Sequence, residues 1–181
     1  MSKMKNLRNA TRAIKNRPFR VSIEGNIGSG KSTCIKFFEK YDNVETHAEP
    51  ISEWRNVSGH NLLGLLYSDM NEWSFAFQHY VHLSRLKIQT SPPSNSSITV
   101  KMFERSVQNS RHCFVENAKK QSFLKDPEYQ VLLEWYDYTE KNLDTSLDLI
   151  VLTIDADRTL NNVKEDLDRY SYKILGGNHT N

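Results

Sequence analysis

Eight consecutive residues, Gly25-Asn26-Ile27-Gly28-Ser29-Gly30-Lys31-Ser32, fit the pattern G-x-x-x-x-G-K-[ST], and Thr33 follows directly. Those residue types at that spacing suit one task. Glycines let the backbone bend until successive N–H groups face one point, and a helix N-terminus beyond them adds partial positive charge. A lysine in the position of Lys31 reaches the β- and γ-phosphates, and a hydroxyl in the position of Ser32 can ligate Mg²⁺. A Gly-rich turn could fit the pattern by chance. Here, however, the short apolar run Val21-Ser22-Ile23 leads in, and Cys34, Ile35, Phe37 and Phe38 follow with helical spacing. The stretch reads as strand, phosphate loop and helix, a site for a nucleoside triphosphate.

Two further polar clusters close apolar runs. Val44 to Ala48 reads as a short strand ending at Glu49-Pro50, and proline keeps its predecessor out of the helical region. Ile98 to Phe103 reads as a third strand, ending in Glu104-Arg105-Ser106, and Asp148 to Ile154 as a fourth. In open α/β sheets the C-terminal edge of the strands is where ligands bind, so both charged clusters are candidate site residues.

The elements between follow from periodicity. Helices are expected over about 32–40, 62–68, 72–89, 107–119 and 128–142, with a short polar one over 159–168. In the third of these, Trp73, Phe77, Tyr80, Ser84 and Ile88 share one face and read as core, while Gln78, Val81 and Arg85 share an adjoining mixed face. Residues 52–60 and 90–97 read as loops, the latter from TSPPSNSS, and Asp126-Pro127 as a turn. Strands alternating with helices predict an α/β fold with a parallel sheet covered on both faces.

Composition sets the outer limits. With 181 residues, 38% hydrophobic and 25% charged, the chain is long enough for one α/β domain with a core. No apolar run approaches membrane-spanning length, and no apolar stretch marks a secretory leader, so no membrane partner is expected. A net charge of +2 is too small to argue for nucleic acid. Cys34 and Cys113 lie far apart without metal-ligand spacing and read as reduced thiols. Met1 to Arg20 holds seven Lys or Arg and no acid. That suits either a disordered solvated arm (1–18) or a mitochondrial targeting segment, leaving a cytoplasmic or mitochondrial location open. The tail, 176–181, reads as unstructured.

Taken together, EGNIGSGKST, EPISEWRNV, LLGLLYSD, FAFQHYVHLSRL and FERSVQNSRHCFVEN resemble, in order, the motifs of the deoxynucleoside kinase family, in the branch of the insect multisubstrate and mitochondrial thymidine kinases. The resemblance is continuous over about Phe19 to Ile150, within a kinase domain placed at 19–175. It implies a P-loop kinase fold, a homodimer, and transfer of the ATP γ-phosphate to the 5′-hydroxyl of a deoxynucleoside in nucleotide salvage, with Mg²⁺. It implies that Glu49 is the general base and that Arg105 holds the 5′ end of the nucleoside and favours the charged form of Glu49. Glu104 would face the Mg²⁺ shell with Ser32, or else act as proton acceptor. Gln78 would read the base edge, Phe114 would stack on the base, Trp54 and Phe77 would wall the pocket, and Tyr67 would bond the sugar 3′-hydroxyl.

Two departures from the family pattern stand out. Arg85 occupies a position where thymidine-accepting relatives tend to have methionine. The deoxycytidine kinase branch pairs an arginine there with an aspartate, but this chain has Ser110 at the aspartate's place. A buried arginine without a carboxylate is costly, so Arg85 is expected to meet the substrate base or solvent. The second departure is larger. After Asp148-Leu149-Ile150 the chain runs VLTIDADRTLNN, which resembles the family's fifth strand and not its arginine-rich lid. Four strands are therefore expected where the family has five, as if the lid were deleted near 150. The other reading puts a diverged lid at Lys164 to Arg169, which is mostly acidic. Lid arginines stabilise charge on the transferred group, a role worth about 10³ to 10⁵ in rate. Their loss leaves either a weakened kinase or a catalytically dead binding protein.

Overall fold

The computed structural model describes residues 17–153, which form two compact units interleaved along the chain. Of the described residues, the first takes in 17–48, Pro92–Glu104 and 147–153; the second takes in Glu49–Ser91 and Arg105–Ser146.

Among the described residues the first unit is built on four parallel strands, β1 (Phe19–Gly25), β2 (Val44–His47), β3 (Val100–Glu104) and β4 (Leu149–Thr153), in the order β2-β3-β1-β4. Helix α1 (Lys31–Phe38) follows the phosphate loop and lays Cys34, Ile35 and Phe38 against Val21 and Ile23 of β1, Val44, Val100 and Met102. Alternation in β1 turns Val21 and Ile23 into this core. The register aligns Ile23 with Glu104 and Gly25 with Thr153, so the ends of β1, β3 and β4 come level around the phosphate loop. That loop sits where the chain order reverses about β1, the place an open parallel sheet offers a ligand.

The second unit is helical: α2 (Ile51–Trp54), α3 (Leu62–Ser68), α4 (Met70–Thr90), α5 (Val107–Asn109), a π-helical segment (Ser110–Val115), α6 (Glu116–Lys120) and α7 (Asp126–Asn142). One core packs Val107, Val115, Ala118, Leu124, Leu132 and Tyr136, and a second packs Trp54, Leu62, Phe77 and Val81. Caps explain two starts that lie earlier than the sequence predicts. Asp69 accepts the N–H groups of Asn71 and Glu72, which extends α4 back to Met70. Asp126-Pro127, expected as a turn, instead forms the first turn of α7. Proline suits that position, and Glu128 bonds back to the N–H of Lys125.

Two other expectations are corrected. Residues 52–60 are not all loop: Pro50, at φ −80°, leads into the turn α2, and only then does the chain bend back through the Val57–His60 bridge. Of the α4 face expected as core, Phe77 and Ser84 are buried and Trp73, Tyr80 and Ile88 half-buried, but the mixed face beside it, with Ser74, Gln78, Val81, His82, Arg85 and Gln89, is buried throughout. Polar side chains hold that face because their partners come from outside the helix. Gln89, for example, donates to the Thr145 carbonyl and accepts the Val107 N–H. The short helix at 159–168, the alternative lid at 164–169, the tail and the arm to residue 16 lie outside the described residues. At the arm's inner end, Arg17 is ion-paired with Asp148 at 2.6 Å.

Candidate active site

The first unit supplies a phosphate loop. Gly28 and Gly30 take φ of +78° and +87°, a region glycine enters without a Cβ penalty. Gly30 stands at the N-cap of α1, so the loop runs directly into the positive end of a helix. Lys31 is buried, and its ammonium donates to the carbonyl of Asn26 at 2.6 Å. The Ser29 N–H bonds to the same carbonyl at 3.3 Å. The loop is thus closed on itself, with its lysine held over the turn.

Ser32, exposed at the start of α1, donates to both carboxylate oxygens of Glu104, each at 3.0 Å. Glu104 is buried at the end of β3. A hydroxyl and a carboxylate in contact form a set of hard oxygen donors, the kind that Mg²⁺ takes sparingly from protein while phosphates and water complete its shell. Among the described residues no cluster of three or more His, Cys, Asp or Glu side chains could hold a metal alone. The fit is to a metal shared with a phosphate, since two protein oxygens suffice for that.

The second unit supplies a carboxylate between two arginines. Glu49 accepts from the Arg105 Nη1 at 2.7 Å through one oxygen and from the Arg85 Nη2 through the other. Arg105 directly follows Glu104 and adopts φ +65°, a left-handed conformation that costs a non-glycine residue of order 1 kcal/mol. That strain aims its guanidinium at Glu49 and over the Phe114 ring, 5.1 Å from the centroid.

Arg85 departs from the expectation. It neither lacks a carboxylate nor reaches solvent: it is 4% exposed, bonded to Glu49 and to the Ser110 hydroxyl, and 5.5 Å from the centroids of both Trp54 and Phe114. Ser110 leaves room for the guanidinium, and Glu49 provides the countercharge. Burial pulls the Arg85 guanidinium below the usual arginine range, Glu49 acts against that, and Arg105 adds to it.

The remaining predicted residues divide. Trp54 is buried, donates its indole N–H to Ser84 at 2.9 Å and meets Phe77 edge-on at 5.6 Å, so both line the same wall. Gln78 is buried, and its amide oxygen has no hydrogen-bond partner among the described residues. Burying an amide oxygen without a bond is costly. Phe114 and Ser110 are presented by the π-helical segment, an irregularity found often at functional sites. Tyr67 stands apart, 70% exposed on α3. Sequence reasoning missed Ser84, which orients Trp54, and Thr153, which bonds the phosphate loop; neither carries a motif signal.

Comparison with known proteins places these sites in context. The family model described as deoxynucleoside kinase matches residues 21–174. Mitochondrial thymidine kinase 2 of Homo sapiens is 45% identical over 131 residues, covering 72% of this chain and 48% of that protein. The Macaca fascicularis protein of the same name is 44% identical over the same length and coverage. Deoxycytidine kinase of Rattus norvegicus is 30% identical over 167 residues, covering 80% and 64%. The chain spans about half the length of the curated thymidine kinase relatives it matches.

Proposed function

The chain belongs to the deoxynucleoside kinase family, and on that premise we propose that it transfers the γ-phosphoryl group of ATP to the 5′-hydroxyl of a deoxynucleoside. The observation that carries this reading is the grip of Arg105 on Glu49 at 2.7 Å. With Arg105 on one oxygen and Arg85 on the other, the carboxylate still keeps a further lone-pair site on each oxygen for a proton from a substrate hydroxyl. Glu49 is the base, and Arg105 positions it.

The first unit would hold the donor. Phosphate oxygens replace the Asn26 carbonyl as partner of Lys31, and the loop N–H groups and α1 face the same charge. Ser32 and Glu104 would hold Mg²⁺, which when bound neutralises charge on the phosphate oxygens. In the second unit, Gln78 would satisfy its amide oxygen on the base edge while Trp54, Phe77 and Phe114 enclose the ring. Glu104 and Arg105 are consecutive, so one peptide bond ties the metal ligand to the residue that fixes the base.

A homodimer is a further proposal from the same membership, and a cytoplasmic or mitochondrial location is another, the mitochondrial one supported by the likeness to a mitochondrial thymidine kinase. No helix among the described residues is long and apolar enough to cross a membrane. The test is a coupled ADP-release assay on the full chain with each of the four deoxynucleosides, with Lys31→Ala as control. Release above the control with at least one substrate is expected; release equal to the control with all four overturns the reading.

A further inference from the structure

Thr153, the last residue of β4, sits against the phosphate loop. Its hydroxyl donates to the Glu24 carbonyl at 3.0 Å and lies 2.7 Å from the Ser29 hydroxyl. The Thr153 proton is committed to that carbonyl, so Ser29 is the donor in the second contact. Two consequences follow. The Ser29 side chain has spent its one proton inside the fold and leaves phosphate recognition to the backbone. And the loop, which begins at Gly25, is tied at both sides of its first turn to the neighbouring strand.

Gly25 makes room for this. At φ +152° it carries no Cβ, and one placed there would overlap the Thr153 hydroxyl and lie 2.5 Å from the Thr153 carbonyl oxygen. The register sets Gly25 opposite Thr153, so the close approach is built into the pairing of β1 with β4. A loop rich in glycine is floppy by itself, and ordering it on phosphate binding costs conformational entropy. A fixed hydroxyl on a strand lowers that cost before the ligand arrives.

We propose that Thr153 is a positioning residue for the phosphate loop, holding Ser29 and the Glu24 carbonyl so that the loop is ordered to receive a nucleoside triphosphate. The inference rests on the kinase reading above. It also gives β4 a role in donor binding that neither the loop motif nor the Glu-Pro and Glu-Arg-Ser motifs announce.

The experiment is calorimetric titration of the full chain with ATP and Mg²⁺, followed by steady-state kinetics. Thr153→Val removes both hydrogen bonds at nearly constant volume and should weaken binding about tenfold. Thr153→Ser keeps the hydroxyl and should bind like the parent. In the kinetics, the KM for ATP should rise in the valine variant while the KM for the deoxynucleoside stays constant, a split that general loss of stability would not produce. Ser29→Ala breaks the same contact from the other side and serves if the valine variant does not fold. The double variant should bind no worse than Thr153→Val alone, because that substitution already removes the Ser29 contact. Parent-like ATP affinity in Thr153→Val or Ser29→Ala, or additive losses in the double variant, overturns the inference. A parent chain that does not bind ATP at all overturns the kinase reading instead, and this inference falls with it.

Discussion

Arg85 closes on one oxygen of Glu49 across 36 residues of sequence, while Arg105 holds the other. Two buried cations thus share one carboxylate, and the Arg85 guanidinium stacks near Trp54 and Phe114, the rings assigned to the base. For a nucleoside to enter, that guanidinium must move or become part of the recognition surface. Replacing it with methionine keeps the length and removes the charge. Arg85→Met should fold, because Glu49 keeps Arg105 as its countercharge at 2.7 Å and is not left as an unpaired buried charge. Removing an ion pair that binding must break should lower the KM for a deoxynucleoside about tenfold. A KM that is unchanged or raised for all four substrates would show that Arg85 does not compete for the pocket.

Removing the shared carboxylate has the opposite sign. Glu49→Gln leaves Arg85 and Arg105 facing each other without countercharge in an interior where each is under 10% exposed. Breaking a buried pair from one side costs about 3 kcal/mol or more, so the melting temperature should drop clearly. Turnover should fall at least about 100-fold if Glu49 is the base. Adding Arg85→Met to Glu49→Gln should return part of the lost stability, since it removes the repulsion. Thermal melts of the two single variants and the double variant decide this.

The contrast between these residues shows what the sequence could carry. The phosphate loop is legible because its chemistry is local: glycines, lysine and serine at fixed offsets do the work within eight positions, between a strand and a helix that periodicity also reveals. Strand ends at Glu49 and Glu104 are legible because charge abruptly follows an apolar run. The partner of Arg85 is not, because a side-chain pair between separate elements leaves no trace in spacing. The buried face of α4 misleads for the same reason, its Gln78, His82, Arg85 and Gln89 being tolerated inside only by groups that come from elsewhere. Nor does anything in SRHCFV mark a π-helical segment, although it sets where Ser110 and Phe114 point.

His82 supplies a pH dependence. Its Nε2 lies 3.0 Å from the Thr139 hydroxyl, which already donates to the Trp135 carbonyl. Thr139 must therefore accept, so Nε2 carries the proton and Nδ1 is left buried with no partner among the described residues. Burial, with a smaller contribution from His79, pushes the imidazole down to about 4. The folded state resists a proton that the unfolded state accepts near 6.5, so stability is full above that pH and declines as pH falls toward 4. The loss approaches about 3 kcal/mol. His82→Gln keeps a donor for Thr139 and should flatten the decline in melting temperature between pH 6.5 and 4. An equal decline in the variant would assign the acid sensitivity to other groups.

Ser32 and Glu104 test the metal assignment separately from the base. Ser32 is an exposed residue whose hydroxyl bonds to Glu104, so Ser32→Ala should leave the melting temperature nearly unchanged. Removing one of two oxygen donors should instead raise the Mg²⁺ concentration for half-maximal activity by about tenfold or more. Glu104→Gln, which keeps the size and one carbonyl oxygen but loses the charge, should raise it further. Activity titrations with Mg²⁺ at saturating ATP separate this from loss of the donor site, because a metal-ligand defect is relieved by excess metal and a missing base is not. If excess Mg²⁺ restores neither variant, the pair does not hold the metal. Glu104 would then become the rival candidate for proton acceptor, and the pH profile of Glu104→Gln against Glu49→Gln would decide between the two carboxylates.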